Sequence, residues 1–310
     1  MPRSSPNKLI NPDALPPEDE LVARLTRGLP QSPRTLTGPG DDCAVVRIPG
    51  ATMLQLFKAD AVVEGIHFTR AMPAAKVGRK ALGRAVSDIA SMGGKPCEAL
   101  VTLVLPPEVS LTWVTELYSG LKKAARLWDV GLAGGETSSA PLGAPVVISV
   151  ALTGEVREDR VLLRGGAQVS DVIAVTGRLG NSFNSGWHLN FTPRLAEAQW
   201  LAESFPPSAM MDLSDGLAKD LPRLALAGEV GWALNPASLP LREGASAAQA
   251  VGEGEDYELL ATFSAECWDE LSAAWRKKFP RVPLTKIGVV KRRGVRSPEL
   301  AGGWDHFADS

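Results

Sequence analysis

The densest chemistry in this chain is the run Met211-Asp212-Leu213-Ser214-Asp215-Gly216-Leu217-Ala218-Lys219-Asp220, together with the distant pair Asp41-Asp42. An apolar approach, Ala209-Met210-Met211, delivers three carboxylates and a hydroxyl into what reads as the start of a helix. Two unit charges about 4 Å apart repel by about 4 kcal/mol at an effective dielectric of about 20. A fold tolerates such crowding when water solvates the acids or when a cation sits among them. Hard cations such as Mg²⁺ take oxygen ligands and commonly hold substrate phosphates as well. The same residues also suit a plainer role, an N-capping Asp or Ser with acids in the first helical turn.

The texture recurs at other element ends. Gly38-Pro39-Gly40-Asp41-Asp42 precedes a strand, and Lys58-Ala59-Asp60 closes one. Ser87-Asp88 lies inside a helix, where Asp88 flanks the apolar stripe and should be partly buried. Gly134-Gly135-Glu136-Thr137 follows a helix, and Gly252-Glu253-Gly254-Glu255-Asp256-Tyr257-Glu258 precedes a strand. Taken singly, Gly-Asp is ordinary turn chemistry. Taken together, these carboxylates read as converging on one cation site. No G-x-x-x-x-G-K-[ST] occurs, which excludes a P-loop. Gly134-Gly135 lets backbone N–H groups approach an anion. Arg164 offers a planar fork of donors for a phosphate, and equally suits a surface ion pair.

The elements that must position these groups alternate. Helical spacing of Val77, Ala81, Leu82, Ala85, Val86 and Ile89 predicts a strong helix over 74–92, stopped by Gly93-Gly94. Further helices are expected over 18–28, 111–128, 193–204, 216–227 and 265–278. Strands are expected over 43–48, 53–59, 100–105, 146–154, 172–176, 231–234, 258–263 and 285–290. Two alternating halves argue an α/β or α+β fold. Residues 1–17 read as a loose proline-rich tail, 18–157 as an N-terminal domain and 158–310 as a C-terminal domain, with charged residues 157–160 as the link.

Composition narrows the function classes. The 310 residues are 45% hydrophobic and 22% charged, with a net charge of −2, so no basic footprint for nucleic acid is visible. Three scattered cysteines argue against a disulfide framework or a structural zinc site and fit a reducing cytosol. The N-terminus lacks the apolar core of a signal peptide. The longest apolar run, 145–152, is too short to span a bilayer.

Six blocks carry a family resemblance: Gly40-Asp41-Asp42-Cys43-Ala44-Val45-Val46; Glu64-Gly65-Ile66-His67-Phe68; Lys80-Ala81-Leu82 with Ser87-Asp88-Ile89-Ala90-Ser91-Met92-Gly93; Asp212-Leu213-Ser214-Asp215-Gly216-Leu217; Gly254-Glu255-Asp256-Tyr257-Glu258-Leu259; and Gly303-Trp304-Asp305-His306-Phe307. In order and spacing they resemble the thiamine-monophosphate kinases of the aminoimidazole-ribonucleotide synthetase superfamily. The resemblance implies a homodimer in which N-terminal halves pair their sheets beside an α/β C-terminal half. It also implies ATP-dependent, Mg²⁺-assisted phosphorylation of thiamine monophosphate to thiamine diphosphate in the cytoplasm. By the same resemblance Asp42, Asp60, Asp88, Asp212 and Asp215 match magnesium ligands, with Asp42, Asp212 and Asp215 at the catalytic centre. Glu136 stands where the family has a further acidic ligand. Gly135, Glu136, Arg164 and Ser214 match nucleotide contacts, and His67, Glu255 and Trp304 surround the thiamine phosphate.

Three places depart from the family pattern. Lys58-Ala59-Asp60 replaces Ser-Thr-Asp or Thr-Thr-Asp and sets an ammonium near the cations. Gly134-Gly135-Glu136-Thr137-Ser138-Ser139 lengthens the acid and lacks the family's arginine. Ser170-Asp171 stands for Gly-Asp. Other readings of the same residues are another ATP-using superfamily enzyme, a non-catalytic binder of nucleotide or thiamine phosphate, and a structural dimer. Residues 1–37 hold no cysteine for selenophosphate chemistry, and the chain ends Ala308-Asp309-Ser310 without the cysteine of the hydrogenase-maturation relatives.

Overall fold

The strongest periodic segment of the sequence becomes the helix around which the two halves assemble. The computed structural model describes residues 15–307, so most of the tail expected over 1–17 lies outside the described residues. The first half runs α1 (Glu18–Thr26), β1 (Thr35–Thr37), β2 (Ala44–Arg47), β3 (Leu54–Val63), α2 (Ala74–Ser91), β4 (Lys95–Leu105), α3 (Leu111–Trp128), β5 (Gly131–Ser139) and β6 (Val147–Val156). Its six strands form one sheet in the order β1-β2-β3-β6-β4-β5. All neighbours are antiparallel except β4 and β5.

Side chains alternate across this sheet with period two. Leu56, Val62, Val101, Leu103, Ile148 and Val150 pack in one buried cluster with Val77, Leu82 and Ile89 of α2 and Leu117 and Leu121 of α3. Among the described residues the opposite face carries no helix. Phe57 is 44% exposed and Leu100 51% exposed there. Between them Ala59, Ala151 and Leu100 stand side by side across β3, β6 and β4, all exposed.

The second half runs β7 (Val172–Thr176), α4 (Leu195–Ser204), β8 (Ala209–Asp212), α5 (Leu217–Ala227), β9 (Val230–Leu234), α6 (Ala247–Gly252), β10 (Leu259–Phe263), α7 (Trp268–Lys278), β11 (Leu284–Arg292) and β12 (Arg296–Ser297). The sheet order is β12-β9-β11-β7-β10-β8. Both faces are covered, one by α5 and α6, the other by α4 and α7. The chain is therefore mixed α and β with two sheets, as its alternation implies, and the sheets are largely antiparallel. Helix α2 touches both halves: its Leu82 and Ile89 belong to the first core, while its Ala90 packs with Leu162 and Met210 of the second.

Most expected elements fall within a few residues of their places, and α3 and β7 fall on them. Two expectations need correction. Residues 134–137 are not a turn but part of β5, a parallel edge strand bonded only to β4. Gly135 sits so close to β4 that an added Cβ would lie 1.8 Å from the Val101 carbonyl oxygen, so no other residue fits. Asp212 does not open a helix. It closes β8, a turn follows, and α5 begins only at Leu217.

Candidate cation and phosphate site

Three elements deliver three carboxylates to one point. Asp42 comes from the turn before β2, Asp88 from α2 and Asp212 from the end of β8. One oxygen from each lies within 4.8 Å of the others, and all three residues are buried. Helix α2 supplies the floor. Lys80, Arg84, Ser87, Asp88 and Ser91 share an arc of about 100° at 3.6 residues per turn. Ser87 donates to Asp212 over 2.5 Å, Ser91 donates to Asp42 over 2.7 Å, and Lys58 Nζ donates to Asp88 over 2.7 Å.

Basic side chains surround the trio. Arg164 donates through Nη2 to Asp42 over 2.5 Å, and its backbone N–H bonds Asp41 over 3.1 Å. Arg84 holds Asp60 through Nε over 2.9 Å and reaches Glu255 with Nη1 over 3.3 Å. Arg223 holds Asp215 over 2.6 Å. Asp220, the last acid of the 211–220 run, points away from the trio. Its carboxylate accepts the backbone N–H groups of Ser214 and Asp215, each over 3.0 Å, and so fixes the turn that carries them.

Electrostatics records the crowding. Burial, and then Asp42, push Asp212 up to about 7. Burial lifts Asp88 well above the usual carboxylate range against the pull of Lys58. Burial and Asp42 bring Asp41 to about 6. Burial works against the Lys58 ammonium, yet Asp88 and Asp60 hold its pKa above the ordinary value. Buried carboxylates that resist ionisation, offering only hard oxygen donors, suit a divalent cation such as Mg²⁺.

The trio opens into a cavity of about 650 Å³ lined by Asp41, Lys58, Asp60, Arg164, Ser214, Asp215 and Tyr257. A smaller cavity of about 40 Å³ adjoins it and is lined by Ile66, His67, Phe183, Glu255 and Trp304. Arg84, Ser214, Asp215 and His306 line both. In the small cavity burial, and then Arg84, pull His67 down to about 4. Its Nδ1 accepts the Val63 N–H over 3.0 Å, which leaves Nε2 as the donor. Burial opposes the Glu255 carboxylate, but His188, Lys80 and Arg84 hold it down to about 2.

The structure thus brings together Asp42, Asp60, Asp88, Asp212, Asp215, Arg164 and Ser214 at the large cavity, and His67, Glu255 and Trp304 at the small one. It does not bring Gly135 and Glu136 there. They lie on β5 at the far edge of the sheet, two strands beyond β6, the neighbour of Asp60's strand. Glu136 sits opposite Thr102, in the register that alternates with buried Val101. It therefore belongs to the uncovered face, as does Ala59. Of the pair Lys58-Ala59, then, only Lys58 stands at the carboxylates. Sequence reasoning missed Lys80, Arg84, Arg223 and Tyr257 as site residues. The signal for the first two was a polar stripe, i, i+4, i+7, i+8 and i+11, running beside the apolar stripe of Val77, Leu82, Val86 and Ile89.

Comparison with known proteins adds relatives. Residues 40–156 match the family model described as AIR synthase related protein, N-terminal domain. A thiamine-monophosphate kinase of Rhodopirellula baltica is 33% identical over 297 residues, covering 90% of this chain and 91% of that one. The enzyme of that name from Salmonella typhimurium is 32% identical, covering 88% and 92%. The solved structure of AaThiL complexed with AMPPCP and TMP superposes with a TM-score of 0.80 at 29% identity, covering 94% of this chain and 97% of that one.

Two measurements test the site. An acid whose pKa is raised by folding stabilises the fold below its ordinary value and loses that contribution as pH rises through the folded value. For Asp212 the window runs from 3.8 to about 7. The metal-free protein should lose melting temperature across this window. The rise produced by Mg²⁺ should be larger at about pH 8 than at about pH 5, because the cation displaces protons. Asp212→Asn should raise the metal-free melting temperature and remove most of the Mg²⁺ response. Separately, Lys58→Met should cost up to about 3 kcal/mol in denaturant titrations without metal, since Asp88 loses its partner. The cost should shrink at saturating Mg²⁺; an equal cost under both conditions would show that Lys58 and the cation do not compete.

Proposed function

The chain belongs to the thiamine-monophosphate kinase family, and from that premise we propose that it transfers the terminal phosphoryl group of ATP to the phosphate of thiamine monophosphate, yielding thiamine diphosphate and ADP. One observation carries the reading: the large carboxylate-lined cavity and the small aromatic one meet at Arg84, Ser214 and Asp215. The first has room for a nucleoside triphosphate; the second, at about 40 Å³, offers His67, Phe183 and Trp304 to one end of an aromatic phosphate ester.

The chemistry asks little covalent work of the protein. An oxygen of the acceptor phosphate attacks the terminal phosphorus, the bond to the bridging oxygen breaks, and ADP leaves with the electron pair. Positioning and charge neutralisation dominate such transfers. Asp42, Asp88 and Asp212 would hold the divalent cation, with Asp60 and Asp215 beside them; when bound it neutralises charge on the transferred group. Arg164 spends Nε and Nη2 on Asp42 and offers Nη1 to the nucleotide phosphates. Ser214 stands where both substrates end. His67 donates from Nε2 to the acceptor, and Glu255, ionised at any working pH, fixes Lys80 and Arg84. Trp304, 45% exposed at the mouth of the small cavity, offers a face to the cationic thiazolium ring.

The functional protein in this reading is a homodimer. Phe57 and Leu100 lie on a sheet face that none of the described residues covers, and such faces mark interfaces. Pairing two of them about a two-fold axis would cover both side chains. The division into domains 18–157 and 158–310 then separates a pairing half from a half that completes each site. Three unpaired cysteines fit a reducing cytoplasm. Among the described residues no helix is long and apolar enough to cross a membrane.

Purified protein given ATP, Mg²⁺ and thiamine monophosphate should form thiamine diphosphate, followed by chromatography. Tight binding of both ligands without product would leave a binding protein instead. Light scattering at micromolar concentration should give twice the chain mass, and Leu100→Lys should shift it toward the monomer. A monomeric parent protein would remove the dimer.

A further inference from the structure

The segment Gly254-Glu255-Asp256-Tyr257 is wound so that alternate side chains face opposite ways. Glu255 and Tyr257 adopt φ of +69° and +50°, unusual for residues with a Cβ. Asp256 turns the other way, to Ser182 over 2.6 Å and Arg242 over 3.0 Å, and is itself buried. Glu255 and Tyr257 turn inward to α2, where the Arg84 guanidinium lies 6.0 Å from the tyrosine ring centroid. Phe191 stacks on that ring at 4.0 Å. The ring is thus fully held by packing, but its hydroxyl is not held at all. Tyr257 is 2% exposed, and its oxygen has no hydrogen-bond partner among the described residues.

That oxygen is closed off from solvent, yet charged groups act on it from several sides. Asp60, Asp212, Arg84 and Glu255 are the charges that bear on it, two from the carboxylate side and two from the acceptor side. Arg84 donates to both oxygens of Asp60 and to Glu255, and Ser87 satisfies Asp212. Tyr257 lines the large cavity and its neighbour Glu255 the small one. Burial drives the phenol pKa well above its ordinary value, so the group stays a neutral donor. A buried donor without an acceptor is costly and calls for a ligand to complete it.

We infer that the Tyr257 hydroxyl donates a hydrogen bond to the phosphoryl group as it passes between the two substrates. This rests on the kinase reading above and adds a catalytic residue to it. A donor aimed at transferring charge acts on turnover more than on binding. Tyr257→Phe removes the oxygen and keeps the ring. In this variant kcat should fall by about 100-fold. Both KM values and the affinity for a non-hydrolysable ATP analogue should stay within about twofold of the parent. The metal-free melting temperature should hold or rise, because an unpartnered polar atom has gone. A variant as fast as the parent overturns the inference alone. So does a raised KM with unchanged kcat, which would mean a ground-state contact, or a slower variant that also melts early, which would mean a structural role. A parent protein that makes no thiamine diphosphate overturns the kinase reading and this inference with it.

Discussion

Aspartates buried side by side repel, and the arrangement of this molecule follows from how each one is answered. Asp88 receives Lys58, Asp60 receives Arg84, Asp42 receives Arg164 and Asp215 receives Arg223. Asp212 receives only the Ser87 hydroxyl, with no basic partner among the described residues. Arg84 and Arg223 are shared further with Glu255 and Asp220, so the shortage of positive charge falls where three carboxylates converge. An apolar core could not host this deficit, and a solvated surface would not need to. A cleft between two packed halves, wet on one side and dry on the other, does both.

Regular backbone geometry turns that electrostatic requirement into a site. On β3 the two-residue repeat sends Lys58 and Asp60 toward the helix and Ala59 toward the open face. On α2 the helical repeat stacks Lys80, Arg84, Ser87, Asp88 and Ser91 along one side while Leu82, Val86 and Ile89 hold the core. A short buried strand, β8, ends on Asp212, and the turn behind it is locked by Asp220. Rigid elements thus place every member of the trio except Asp42, which sits in a turn tied down by Ser91 and Arg164.

What the sequence revealed follows from how strongly each segment repeats. The α2 and α3 patterns are long and one-sided, so their bounds could be read closely. Acidic turns were legible as a group, because charge clustered without a counter-charge in sequence is itself a signal. Residues 134–137 were misread because β5 is an edge strand with almost no buried side chain, so it carries no alternation to detect. Arg84 went unnoticed because a charged residue in a helix ordinarily faces water; only the packing of α2 between the two halves changes its meaning. Tyr257 read as part of an acidic turn ahead of a strand, and its left-handed backbone leaves no trace in composition.

Helix α2 and the β8 turn belong to different halves, yet both contribute to the same handful of oxygens. Whatever binds across that seam acts as a rivet. By linkage, its binding free energy is added to the work needed to part the halves. Slow exchange of backbone amides along the seam, and resistance of the 157–171 connection to proteases, therefore become measures of occupancy. A ligand spanning the cleft would hold the two halves together with no dedicated latch.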